Sequence, residues 1–165
     1  MGNNLIVPSP RRERPLLLHL HSLMQNIDQA VRVILLIDDD DDDQAMFREA
    51  LQAVDDTVRC IVAPDGVDAV EMLRIQNARV PDYIFLDLNM PKMGGKECLL
   101  HIRRMPHLQH VPVIIYTTSR QNRDVEETRA LGAVHFISKP YHFDDICQSI
   151  RHVLEEAWRN PVEGR

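Results

Sequence analysis

Between residues 31 and 158 the chain alternates two hydrophobic patterns: short unbroken apolar runs, and longer stripes spaced three and four residues apart. Residues 31–37 are apolar except for Arg32, as expected for a strand buried on both faces. Phe47, Ala50, Leu51 and Val54 then fall at i, i+3, i+4 and i+7, which predicts one face of a helix. The pairing repeats. Residues 58–63 predict a second strand, and Gly66 opens a helix carrying Val67, Val70 and Leu73. Pro81 precedes a third strand at 83–86, and Gly94 and Gly95 mark a turn before a helix with Cys98, Leu99 and Ile102. Pro112 begins a fourth strand at 113–116, and the polar helix after it has a thin apolar face, Val125 and Leu131. Gly132 stops that helix and residues 134–137 predict a fifth strand. Phe143, Ile146, Cys147, Ile150, Val153, Leu154 and Trp158 form the buried stripe of a last helix. Strands alternating with helices imply an α/β fold, a doubly wound parallel sheet with helices on both faces, because right-handed crossovers lay each helix over the sheet.

In such a sheet the site lies beyond the carboxyl ends of the strands. There stand Asp38 with Asp39, then Asp87, Thr117 and Lys139. Three carboxylates brought together repel, and a hard divalent cation relieves them. Mg2+ fits, since it takes one or two carboxylates, several waters and a phosphate oxygen. A lysine and a hydroxyl completing the ring would satisfy a bound phosphoryl group, and a carboxylate can itself be the nucleophile that forms an aspartyl phosphate.

Composition narrows the picture. The 165 residues are 44% hydrophobic and 27% charged, which suits one domain with short extensions. The net charge of −6 equals in size the single run of acids at 38–43, and elsewhere the signs cancel, which argues against a nucleic-acid surface. Within that run Asp40 to Asp43 read as helix-start charge and capping oxygens. A calcium loop would place Asp38, Asp40, Asp42 and Glu49 at ligand positions, but its sixth position needs glycine and holds Asp43. Cys60, Cys98 and Cys147 stand far apart and read as reduced thiols of a cytoplasmic protein. His19 with His21 and His107 with His110 lack the further ligands of a structural metal site. No apolar stretch approaches the ~20 residues of a membrane span. Residues 1–30, with Pro8, Pro10 and Pro15 around Arg11, Arg12 and Arg14 and then five leucines, make a poor secretory signal because His19 and His21 interrupt the apolar part. They are expected to form a flexible leader, with Met24 an alternative translation start. Residues 159–165 are expected to be a C-terminal tail.

Four stretches together resemble the response-regulator receiver domains of two-component signalling: Leu35-Leu36-Ile37-Asp38-Asp39, Phe85-Leu86-Asp87-Leu88-Asn89-Met90-Pro91, Val113-Ile114-Ile115-Tyr116-Thr117 and Phe136-Ile137-Ser138-Lys139-Pro140. The resemblance spans residues 31–158 and implies a flavodoxin-like (βα)5 fold with strand order 2-1-3-4-5. It implies that Asp87 accepts a phosphoryl group from a sensor histidine kinase or phosphotransfer protein. Asp38, Asp39, Asp87 and the backbone carbonyl of Asn89 would bind Mg2+, Asp38 mostly through water, while Lys139 and Thr117 hold the phosphoryl oxygens. Movement of Thr117 would let Phe136 turn inward, and the Lys139–Pro140 bond would be cis. Asn89 and Ser119 occupy positions that influence the lifetime of the aspartyl phosphate. Gly94, where the family often has Asp, should loosen its loop, and Thr118 should narrow access to Asp87.

With about 18 residues after Ile146, a stand-alone regulator is expected, one that changes its binding to a downstream protein, dimerises or relays the phosphoryl group. Two other readings compete. A phosphatase using an aspartyl phosphate would want a second acid two residues after Asp87, where Asn89 stands. A phosphorylation-independent interaction module would have no need of the complete set of acids, threonine and lysine.

Overall fold

The computed structural model describes residues 15–25, 27–28, 30–75 and 79–156. Each apolar run of the sequence becomes a strand, and side chains on alternate sides of it enter two separate cores. The strands are β1 (Val33–Ile37), β2 (Arg59–Ala63), β3 (Tyr83–Leu86), β4 (Val113–Thr117) and β5 (His135–Ser138). They form one parallel sheet in the order β2-β1-β3-β4-β5. The expected strand order and doubly wound class are therefore observed.

Helices α1 (Pro15–Gln25), α3 (Gly66–Leu73) and α4 (Gly95–Arg103) cover one face, where Leu35, Ile37, Ile84, Leu86 and Ile115 meet Leu20, Met24, Met72, Leu99 and Ile102. On the other face α2 (Asp41–Val54) and α6 (Phe143–Glu155) pack over Ile34, Leu36, Phe85 and Ile114. Phe47, Phe85 and Tyr116 meet edge-on there, with ring centroids 4.8, 5.4 and 6.1 Å apart. The remaining helix, α5 (Asn122–Ala130), buries only Thr128.

Four expectations change. The 1–30 segment is not a flexible leader throughout, because residues 15–25 form α1. Pro15 sits at the helix start, where its fixed φ and missing N–H cost nothing. Leu17, Leu20 and Met24, at i, i+3 and i+7, then turn one face onto α3 and β2, burying Leu20 and Met24 almost completely. On α5, Val125 is exposed and Thr128 takes the buried position, while Val134 stays exposed just before β5. The structure has no cis peptide bond among the described residues, so Lys139–Pro140 is trans, the form intrinsically preferred even before proline. Trp158 and the tail at 159–165 lie outside the described residues, as do residues 1–14 of the expected leader.

Candidate functional site

Parallel register brings the carboxyl ends of β1, β3, β4 and β5 to one edge. Ile37 is level with Leu86, so Asp38 and Asp87 emerge side by side, and Thr117 is level with Ser138, which sets Lys139 beside it. Backbone bonds continue past the strand ends: Asp87 N–H donates to Ile37 O (2.9 Å) and Lys139 N–H to Thr117 O (2.7 Å). Asp38, Asp87, Thr117 and Lys139 are all buried, whereas Asp39 and Asn89 are exposed at the rim.

Asp38, Asp39 and Asp87 each present a carboxylate oxygen within 4.8 Å of the other two. The Asp38 carboxylate is held on one side by Asp40 N–H (3.1 Å to Oδ1), and its backbone carbonyl accepts from Gln44 Nε2 (2.8 Å). Its other oxygen, Oδ2, lies 2.8 Å from Lys139 Nζ, but at an angle too bent for a hydrogen bond, so this buried atom has a charge partner and no hydrogen-bond partner. Burial pushes the Asp38 carboxyl above its usual range, against the pull of Lys139. For Lys139 burial acts downward, yet pairing with Asp38 and Asp43 outweighs it and holds the ammonium above its usual range, firmly charged. The ammonium also lies 5.7 Å over the Tyr116 ring. Its distance to Asp87 Oδ2 is 3.9 Å.

Asp87 Oδ1 accepts from the N–H of Leu88 at 2.8 Å, which fixes the carboxylate orientation and leaves Oδ2 facing the cluster. The hard oxygen donors, the excess of negative charge over one lysine and the unfilled Asp38 Oδ2 fit a divalent cation. The Thr117 hydroxyl oxygen accepts from Ser119 N–H (3.3 Å), and Ser119 in turn donates to Asp124 in the first turn of α5. Phe136 is half-buried away from the carboxylates, lining an open cavity of about 310 Å³ with Val125, Thr128 and Arg129. Asn89 Nδ2 reaches Thr118 Oγ1 at 3.4 Å across the mouth.

The sequence-predicted acids and lysine are thus brought together, Thr117 stands beside them, and Phe136 stands apart. Sequence reasoning missed Asp43, whose Oδ2 accepts from Lys139 Nζ at 2.7 Å, and the Leu88 amide. The expected helix-start role does hold for Asp40, the N-cap of α2, which accepts from the amides of Asp42 and Asp43.

Comparison with known proteins gives a consistent family. Residues 34–151 match the response regulator receiver domain. Response regulator Rcp1 of Synechocystis is 31% identical over 143 residues, covering 84% of this chain and 97% of that protein. The crystal structure of the phosphorylated cyanobacterial phytochrome response regulator RcpA is 31% identical with a TM-score of 0.70, covering 76% of this chain and 93% of that one. The Mn(2+)-bound form of Rcp1 has a TM-score of 0.66 at 31% identity, covering 79% and 96%.

Proposed function

The chain belongs to the response-regulator receiver family, and from that premise we propose that Asp87 is the aspartate that takes the phosphoryl group from a histidine kinase or phosphotransfer protein. Members of this family accept a phosphoryl group on an aspartate and act in two-component signalling, and this chain is such a response regulator. The observation that carries the assignment is the placement of Asp87: buried at the sheet edge, oriented by Leu88 N–H, with its second oxygen 3.9 Å from a charged lysine and close to two further carboxylates.

The free Asp87 oxygen attacks the phosphorus of a phosphohistidine. The new O–P bond forms as the P–N bond breaks, and the electron pair goes to the imidazole nitrogen. Asp38, Asp39, Asp87 and the backbone carbonyl of Asn89 would hold the divalent ion, Mg2+ in our reading. When bound, that ion supplies positive charge against the phosphoryl oxygens. Lys139 pairs with one phosphoryl oxygen, and the Thr117 hydroxyl donates to another while its oxygen remains able to accept from Ser119 N–H. Phe136, beside its cavity, has room to change rotamer as Thr117 shifts. The consequence is altered binding to a downstream protein or to a second copy of the chain. No helix among the described residues is long and apolar enough to cross a membrane, and we place the protein in the cytoplasm.

The test is incubation with Mg2+ and acetyl phosphate, followed by intact mass. The expected result is an alkali-labile gain of one phosphoryl group, absent in Asp87→Asn and absent with chelator. A folded wild-type protein that stays unmodified overturns the proposal.

A further inference from the structure

Lys139 has three acidic neighbours at the sheet edge, and the one it hydrogen-bonds is not among the predicted site residues. Its Nζ donates to Asp43 Oδ2 at 2.7 Å, approaches Asp38 Oδ2 at 2.8 Å without hydrogen-bond geometry, and stays 3.9 Å from Asp87 Oδ2. Asp43 comes from the first turn of α2, three residues after the N-cap Asp40. An acid at that position ordinarily reaches back to the N-cap amide, closing a capping box. Here the Asp40 amide is already taken by Asp38 Oδ1, at 3.1 Å. The Asp43 carboxylate is therefore released from the helix end and turned to Lys139, some 96 residues away in sequence.

We infer that Asp43 is a positioning residue for phosphoryl transfer: it retains the Lys139 ammonium in the resting protein and competes for it with a phosphoryl oxygen when Asp87 is modified. The inference rests on Asp87 being the acceptor. An ammonium has three protons to donate, and the one directed hydrogen bond seen here goes to Asp43. The Asp43 side chain is about one-third exposed, so water can solvate it once the lysine leaves, which makes the exchange accessible. A carboxylate there opposes the phosphorylated state twice, by holding the lysine and by adding negative charge beside the incoming dianion.

Removing the Asp43 charge should therefore favour phosphorylation. With acetyl phosphate and Mg2+, Asp43→Asn is expected to react about three- to tenfold faster than wild type, the size of one charge interaction at a partly solvated site. Asp43→Ser, which also removes the charge, is measured alongside, and Asp43→Glu should return the rate toward wild type. The readout that a merely structural role would leave alone is the 15Nζ–1Hζ NMR signal of Lys139 in the resting protein, expected to shift in Asp43→Asn and to be restored in Asp43→Glu. Wild type that reacts while both neutral variants, folded by circular dichroism, react within twofold of it or more slowly overturns the role of Asp43 and leaves Asp87 as acceptor. An unmoved Lys139 signal overturns it equally. Wild type that does not react at all overturns the Asp87 assignment instead.

Discussion

Gly95 offers the sharpest test of how the fold positions the proposed acceptor. It is the first residue of α4, and its amide donates to Leu88 O at 3.0 Å, which ties the helix to the loop that carries Asp87. A Cβ placed there would lie 2.1 Å from the Asp87 carbonyl oxygen, 2.7 Å from Leu88 Cα and 2.9 Å from the Asp87 carbonyl carbon. All three are backbone atoms, so no side chain can rotate away. Nonbonded carbons rest about 3.5–4.0 Å apart, so helix and loop must separate by roughly an ångström or more. That breaks the Gly95–Leu88 bond, about 0.5–1.5 kcal/mol, and disturbs the packing of Cys98 and Leu99, about 1–3 kcal/mol. Together Gly95→Ala should cost about 1.5–4.5 kcal/mol, and at about 2–4 °C per kcal/mol for a domain of this size Tm should fall by roughly 3–18 °C. The neighbouring Gly94→Ala is the control, since its Cβ would meet only Leu88 O at an ordinary 3.7 Å. Both variants are melted by circular dichroism and labelled with acetyl phosphate. Gly95→Ala should lose stability and labelling together, and Gly94→Ala should keep both. A Gly95→Ala protein melting within 1 °C of wild type, or a Gly94→Ala protein equally damaged, would refute the steric argument.

Because Leu20 and Met24 are buried on the sheet, Leu20→Ala or Met24→Ala should each destabilise by about 1–3 kcal/mol in urea titration, below the usual core range because α1 sits at the periphery. An unchanged midpoint would show that α1 is not docked in solution. His135 is held below its ordinary pKa of 6.5 by burial and then by the neighbouring His152, with Glu156 opposing. The unfolded chain thus takes up the proton more readily, so this contribution to stability is complete above pH 6.5 and is lost as pH falls through the lower folded value. His135→Gln should flatten the fall of Tm below pH 6.5, and an identical pH profile would contradict it. Finally, α5 buries only Thr128, so its amides should exchange with solvent at least tenfold faster than those of α2; equal protection would show that its ion pairs hold it as firmly as a core does.

The sheet was legible because its strands are continuous apolar runs between turn residues, a signal that survives without tertiary information. Asp38, Asp39, Asp87 and Lys139 were legible because each stands within two residues of the end of such a run. Asp43 was not, because its role depends on the Asp40 amide being occupied by Asp38, a condition that exists only after the strand end and helix start have been joined. Helix α1 was hidden by its histidines and by the prolines and arginines before it. Its stripe of Leu17, Leu20 and Met24 was present in the sequence, but the partner surface on α3 and β2 was not. Val125 misled for the opposite reason: helical spacing marks a face, and α5 happens to turn a threonine inward, its hydroxyl satisfied by the Asp124 carbonyl of its own helix at 2.7 Å. Arg103 gave no sequence signal at all, yet its guanidinium donates to the carbonyls of Leu108, Val111 and Gly132 and so pins two loops on the far side of the sheet.

The acidic run at 38–43 shows how one residue type can serve several physical ends when the backbone changes direction beneath it. Asp38 ends a strand, so its side chain points into the sheet edge and is buried. Asp39, on the opposite side, reaches solvent while keeping an oxygen near Asp38 and Asp87. At Asp40 the chain is still extended, the geometry an N-cap needs, and its carboxylate closes onto the next two amides. Asp41 and Asp42 then lie in the first helical turn, where negative charge meets the positive end of the helix. One residue further the helix has rotated back toward the sheet, and Asp43 faces Lys139. The run therefore surrounds a single buried cation with charge supplied from both a strand end and a helix start. A site arranged in this way is short of positive charge, which a bound metal would supply; in our proposal the phosphoryl group would then compete with Asp43 for the lysine.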